Sequence, residues 1–141
     1  MLTVLFRISD PANGNVIGTC SESDSKDTQK AIDTTAAALP AWRSRAGRDR
    51  GRLLRRLYEL IMGNQQDLAT LVTLENGKVK ADAAGEALFA ASFLEWFSEE
   101  TARVYGDVIP HSQPSFRISV LKEPVGVCGL ITPSVAFVSD N

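Results

Sequence analysis

The side chains from which chemistry could be built are few. Seven arginines crowd residues 43–56, three glutamates (Glu95, Glu99 and Glu100) lie close together, and there are one histidine, His111, and two cysteines, Cys20 and Cys128. A basic cluster can grip phosphates. These arginines, however, alternate with leucines so that they fall on the polar face of a helix, acids elsewhere compensate them, and nucleic acid is not the expected partner. Paired carboxylates do acid and base work when buried close together. Glu95 and Glu99, four residues apart, read instead as a solvated acidic edge near Arg103. His111, between Pro110 and Ser112, reads as a solvated loop residue. Cys128 sits among valine, glycine and leucine with no cation or helix terminus to favour a thiolate, so it reads as packing. With no CxxC spacing and no neighbouring histidine, neither a metal site nor a disulfide framework is expected. No residue is singled out as catalytic. The motifs GxGxxG, GxxxxGK[ST], HExxH and GxSxG are absent.

Two spots remain. The aromatic row Phe89, Phe93, Trp96 and Phe97 is expected to be core, one member of it being a candidate for lining a ligand cavity. Ile131-Thr132-Pro133 follows an apolar run without alternation, residues 125–131 (VGVCGLI), of the kind that forms a parallel strand covered on both faces. Open α/β sheets bind ligands just past the carboxyl ends of such strands.

The elements that must hold these residues follow from periodicity. Residues 10–14 (DPANG) cluster turn formers between an apolar start and residues 16–20, which predicts a small hairpin. The start itself, residues 1–8, lacks a cationic leader and a cleavage site, so it is read as an edge strand rather than a signal peptide. Ser25 is a candidate cap for a first helix ending near Pro40. Leu53, Leu54, Leu57, Leu60 and Ile61 mark a second helix. Leu68, Leu71 and Val72 mark a third, with Asn64 as a possible cap between the two and Gly77 supplying a left-handed end. A long helix follows over residues 78–105, stopped by Gly106. Its two apolar rows, Ala84/Leu88/Ala91 and Phe89/Phe93/Trp96/Phe97, ask for neighbours on more than one side. Residues 115–120 alternate with period two, as a strand with one wet face does.

At 141 residues the chain holds about one domain, and 44% hydrophobic with 23% charged residues is an ordinary globular composition. The formal net charge of −2 gives no pull toward nucleic acid or anionic lipid, and no apolar stretch reaches bilayer length, so no membrane partner is expected. Cysteine usage fits a reducing compartment. The expected fold class is α/β, mostly helical in these residues, with short strands and one buried parallel-type strand near the C-terminus. Such a strand needs partners, and the chain is therefore expected to be the opening part of a larger α/β domain.

Taken in order, the segments DPANGNVIG (residues 10–18), LPAWR (39–43), RLLRRLYELI (52–61), LVTLENGK (71–78), FLEWFSEETARVYGDVIP (93–110) and VLKEPVGVCGLITP (120–133) resemble the N-terminal portion of the NAD(P)-dependent aldehyde dehydrogenase family. Within it they are most similar to succinate-semialdehyde dehydrogenases. The resemblance implies that residues 1–141 are an incomplete N-terminal portion of the NAD(P)-binding domain, with residues 106–124 leading into the oligomerisation segment. It implies a small aldehyde substrate, namely succinate semialdehyde oxidised to succinate in γ-aminobutyrate breakdown, with NAD or NADP as cofactor. It also implies a homo-oligomer for full-length members, in the cytoplasm, mitochondrial relatives being known. The family reaction is thiolate attack on the aldehyde, hydride transfer to the dinucleotide and hydrolysis of the thioester.

Residue by residue, the resemblance makes Ile131, Thr132 and Pro133 cofactor-bordering and places Phe89 at the substrate tunnel. After Pro133 the family continues with Trp-Asn-Phe, whereas here Ser134-Val135-Ala136 stand, so the amide that stabilises the oxyanion is missing; losing such a donor costs about 10²- to 10³-fold. The family's cysteine nucleophile, glutamate base and glycine-rich turn have no counterpart in the 141 residues. A truncated product, inactive alone, is the expectation. The alternatives are a non-catalytic fragment that associates with full-length subunits through the strand at residues 115–122, a dehydrogenase of broader aldehyde specificity, and a free-standing helical binding module.

Overall fold

The structure is a computed structural model and describes residues 4–131. It opens with the expected hairpin, in which β1 (Leu5–Ser9) and β2 (Val16–Ser21) run antiparallel with Leu5 opposite Ser21 and a register shift between Ile8 and Ser9. The turn between them is organised by Asp10. Its carboxylate accepts hydrogen bonds from the Ala12 N–H at 2.8 Å and the Asn13 side-chain amide at 2.9 Å, while its own N–H donates to the Asn15 carbonyl at 2.8 Å. Only 7% of Asp10 is exposed. Asp10→Ala is therefore expected to lower stability by about 1–3 kcal/mol, because the donors it satisfies lose their acceptor. Urea unfolding with an unchanged midpoint would refute this.

Four helices follow: α1 (Ser25–Arg43), α2 (Gly47–Gly63), α3 (Gln65–Asn76) and α4 (Lys80–Glu100). The first is capped by Asp24 rather than by Ser25. The Asp24 carboxylate accepts from the N–H groups of Lys26 and Asp27, and Asp27 reaches back to the Asp24 N–H, a reciprocal capping box. Nor does α1 end near Pro40; it runs on to Arg43. A proline at this point leaves only the Ala36 carbonyl without its helical donor, and because no residue of α1 is buried, water can satisfy it. Asn64 stands between α2 and α3 as the expected cap position of both, but its side chain serves α2, its amide donating to the Leu60 carbonyl at 2.7 Å, and caps no N–H of α3. Gly77 ends α3 at φ +68°, in the left-handed conformation expected of it.

The helices pack as a trio in which α4 lies against both α2 and α3. The contact is made of small side chains. Ala83, Ala87 and Ala91 form the buried row of α4, one turn apart, and Ala69 and Val72 of α3 meet the first of them. Of the expected Ala84/Leu88/Ala91 row, Ala91 is buried, Ala84 packs half-buried against the cluster and Leu88 is exposed. On α2 the contact with α4 needs Gly51, which is buried, and the leucines Leu53, Leu57 and Leu60 stay exposed on another face. α4 itself begins at Lys80 and stops at Glu100, five residues before Tyr105. Its last turn is closed by the Thr101 hydroxyl donating to the Ser98 carbonyl, and Gly106 plays no part in ending it.

A second hairpin follows, β3 (Asp107–Pro110) antiparallel to β4 (Arg117–Val120), with Asp107 opposite Val120. The alternating stretch is thus a strand, somewhat shorter than expected, and its partner β3 was not anticipated. The buried parallel strand over residues 125–131 is not formed. Among the described residues both sheets have two strands, each a local hairpin, and nothing is available to pair with this segment. Val125, Leu130 and Ile131 are 95%, 89% and 102% exposed. Cys128, expected as packing, is exposed for the same reason.

Candidate functional site

Among the described residues α4 carries a concentration of large aromatic side chains, and its geometry follows from the alanine row. Because Ala83, Ala87 and Ala91 face α2 and α3, side chains on the opposite face point away from the trio. Phe89, Phe93, Trp96 and Phe97 are accordingly 66%, 49%, 63% and 55% exposed, where core positions were expected. Together with Ser92, Glu95 and Glu99 they line an open groove of about 580 Å³. Phe89 and Phe93 meet edge to face, ring centroids 4.9 Å apart and planes at 80°, which fixes both rings one helical turn apart. Phe89, singled out from the sequence, is therefore part of this groove.

One edge of the groove is pinned to α2. The Glu95 carboxylate accepts from Arg55 at 2.9 Å, and Arg55 also reaches Glu59 at 3.5 Å and lies over the Tyr58 ring at 4.7 Å. The hydrogen bond to Glu95 raises the Arg55 pKa above its ordinary value. The acidic edge near Arg103 is thus divided. Glu95 turns to Arg55, and Arg103 binds Glu100 at 2.6 Å. The sequence offered no signal for the Arg55–Glu95 pair, forty residues apart and on different helices.

The arginine cluster is dispersed rather than convergent. Arg52 pairs with Asp49, Arg55 and Arg56 with Glu59, Arg43 with Glu123, and Arg50 donates to the Arg45 carbonyl. Two further grooves lie along it. One, of about 290 Å³, runs over the α2–α4 seam at Gly51, Ser98 and Thr101, and the other, of about 420 Å³, lies between Arg43, Arg50 and residues 121–124. His111 is exposed; its Nδ1 accepts from the Gln113 N–H at 2.9 Å and its ring lies 5.1 Å from Phe116. Among the described residues no group of three histidine, cysteine, aspartate or glutamate side chains could hold a metal ion, and no helix is long and apolar enough to cross a membrane.

Of the residues expected to border a cofactor, Ile131 is fully exposed and lines none of the three grooves, while Thr132 and Pro133 lie outside the described residues. Ile131 and Phe89 are not brought together in one cavity.

Comparison with known proteins accounts for this arrangement. Residues 3–134 match the model of the Aldehyde dehydrogenase family. A glutarate-semialdehyde dehydrogenase of Pseudomonas putida is 49% identical over 91% of the chain, and the NADP(+) succinate-semialdehyde dehydrogenase of Escherichia coli is 47% identical over 89%. These alignments cover 27% and 26% of the two relatives, so the chain spans about a quarter of the length of the curated relatives it matches. The crystal structure of succinate-semialdehyde dehydrogenase from Burkholderia pseudomallei superposes with a TM-score of 0.85 at 43% identity, over 89% of this chain and 26% of that one. The hairpin, the helical trio and the second hairpin therefore superpose on part of a known architecture, and the chain belongs to the aldehyde dehydrogenase family.

Proposed function

We propose that this chain supplies the N-terminal quarter of an NAD(P)-dependent semialdehyde dehydrogenase, acting on a short aldehyde that carries a carboxylate at its far end, succinate semialdehyde first and its five-carbon homologue second. The observation that carries the reading is the agreement of relatives 47–49% identical over about nine tenths of the chain, all named for these two substrates. The E. coli and yeast relatives are named for NADP(+). In the reaction the aldehyde is oxidised to the acid, water supplies the oxygen and the dinucleotide accepts the hydride. In this reading Phe89 borders the substrate path, Ile131, Thr132 and Pro133 border the cofactor, residues 106–124 lead to the subunit interface of a homo-oligomer, and the enzyme works in the cytoplasm.

The 141 residues alone are not expected to turn over. Both cysteines are exposed, and the partners of their thiols are backbone carbonyls, Ser21 for Cys20 and Gly126 for Cys128, each at 3.8 Å. Neither of these partners is a base or cation that would make the thiol a nucleophile. An assay of the chain with succinate or glutarate semialdehyde and either dinucleotide should give no NAD(P)H. Turnover abolished by Cys128→Ser would overturn this.

The positive test is a chimera in which residues 4–131 replace the matched segment of the E. coli relative. Oxidation of succinate semialdehyde in clear preference to acetaldehyde is expected. A folded chimera that favours simple aliphatic aldehydes would support the broader-specificity reading instead, and one that oxidises no aldehyde would refute the proposal.

A further inference from the structure

Asparagine followed by glycine invites a reaction between neighbours, one source of the thermal lability of asparagine. The glycine nitrogen, unhindered by a side chain and stripped of its proton, attacks the asparagine side-chain carbonyl carbon. A C–N bond forms, the bond to the side-chain nitrogen breaks and ammonia leaves, and water then opens the cyclic imide to aspartate or isoaspartate. The chain contains this pair twice, at Asn13–Gly14 and Asn76–Gly77. The first lies in the turn of the β1–β2 hairpin, where both residues are exposed and nothing stands within 4 Å of the Gly14 Cβ position. The turn also holds an activator. The Asn15 N–H donates to Asn13 Oδ1 at 2.8 Å, the oxygen on which negative charge gathers as the nitrogen adds.

Against the reaction stand two hydrogen bonds that both end on Asp10. Asn13 Nδ2, the nitrogen that would leave, donates to Asp10 Oδ2 at 2.9 Å, and the Gly14 N–H, which would have to give up its proton, donates to the Asp10 backbone carbonyl at 2.7 Å. With the Asn13 amide held at Oδ1 and Nδ2, its carbonyl carbon cannot swing onto the Gly14 nitrogen until the turn opens. We propose that Asn13–Gly14 is a deamidation site kept closed by Asp10, and that its modification is one-way because the product cannot rebuild the turn. Aspartate at position 13 replaces the donor at Nδ2 by a carboxylate oxygen facing the Asp10 carboxylate, two like charges with no donor between them and one of them only 7% exposed. Isoaspartate lengthens the backbone by one carbon inside a turn that the Asp10 N–H closes on the Asn15 carbonyl at 2.8 Å. The site therefore records each opening of the hairpin as a permanent negative charge.

Peptide-resolved mass spectrometry of the chain incubated at mildly alkaline pH, folded and in denaturing urea, reads the conversion of each asparagine. Asn13 is expected to convert roughly 100-fold more slowly in the folded chain, the factor that one charged and one neutral hydrogen bond supply, and Asp10→Ala to recover about tenfold of it, the share of the carboxylate. Asn76 is the internal reference. The Gly77 N–H is held by the Thr73 carbonyl at 2.8 Å within α3, so its rate should not respond to Asp10→Ala. Equal rates for Asn13 in the folded and denatured chain would overturn the proposal, and so would an Asp10→Ala chain in which Asn13 stays as slow as in the parent. Acceleration of Asn13 and Asn76 together would assign the effect to unfolding of the whole chain and overturn the local reading. The product is tested separately by Asn13→Asp, which should cost β1 and β2 their amide protection while α2, α3 and α4 keep theirs; Asn13→Ala, which adds no charge, should retain more of it. Parent-like protection of β1 and β2 in Asn13→Asp would show that the turn accepts the product and is not one-way. None of these readouts uses aldehyde turnover, so the outcome is independent of the substrate reading.

Discussion

Gly106→Ala should abolish the β3–β4 ladder. A Cβ placed on Gly106 would lie 2.1 Å from the Val120 carbonyl oxygen and 3.3 Å from its carbon. Both atoms are backbone, so no side chain can turn aside. Gly106 precedes β3, and Val120 is the residue of β4 that pairs with Asp107, so relief of the clash requires the strands to part where their register begins. Overpacking in a rigid setting costs about 1–3 kcal/mol and sometimes more, whereas a lone two-stranded hairpin is marginally stable at best. The balance goes against the ladder. Residue-resolved amide exchange is the measurement: the protected amides of β3 and β4 should exchange like those of a loop, while the amides of α2, α3 and α4 keep their protection. Unchanged protection of Ile109 and Ile118 would show that the backbone accommodates the methyl group. The glycine is needed for close approach and not for a special dihedral, since the positive-φ glycines are Gly14, Gly77 and Gly126.

That requirement could not be read from the sequence, where Gly106 looked like a helix stop. The difference illustrates which features were legible. The first hairpin was, because Asp10, Asn13 and Gly14 act on their own backbone within six residues and need nothing distant. The end of α3 at Gly77 was legible for the same reason. Helix existence was also legible, from the leucine and alanine periodicities, although the bounds of α1 and α4 were not. They depend on Asp24 winning the cap from Ser25 one residue later, and on a Thr101 hydroxyl that closes the last turn of α4.

Burial was the least legible property. Periodicity shows that Phe89, Phe93, Trp96 and Phe97 share a face, but it does not show whether anything covers that face. Here the small residues took the contact, because alanine and glycine let helix backbones approach more closely than phenylalanine does. Residues 125–131 were read as a buried parallel strand, and in the structure, with no strand among the described residues to pair with, they form none and are exposed. For the candidate site, the sequence singled out Phe89 and the aromatic row. It was silent on the Arg55–Glu95 pair that ties the groove to α2, since a contact between residues forty apart leaves no local pattern.

The close approach of α2 to α4 leads to the second large effect, expected for Gly51→Val. A Cβ on Gly51 would stand 2.6 Å from the Thr101 hydroxyl and 2.7 Å from the Ser98 carbonyl oxygen. The hydroxyl could rotate away only by giving up its hydrogen bond to that same carbonyl, at 2.9 Å, and the carbonyl belongs to the backbone of α4. One turn earlier Gly47 is under the same constraint, its Cβ position 2.8 Å from the Thr101 carbonyl oxygen. The two glycines thus form the flat strip on which the end of α4 lies. Widening it moves α4 away from α2 as a body, stretching the Arg55–Glu95 contact and loosening the alanine row. The expected cost is about 3 kcal/mol for valine and less for alanine, and at about 2–4 °C per kcal/mol for a chain of this size the melting temperature should fall by roughly 6–12 °C. Gly85→Ala supplies the contrast. Gly85 lies within α4, exposed, with nothing within 4 Å of its Cβ position, so alanine there should stabilise by about 0.5–1 kcal/mol through helix propensity alone. Opposite signs at two helical glycines separate a packing requirement from a propensity effect. A Gly51→Val chain that melts with or above the parent would mean that α2 and α4 are not held in this contact, and the support beneath the aromatic groove would have to be sought elsewhere.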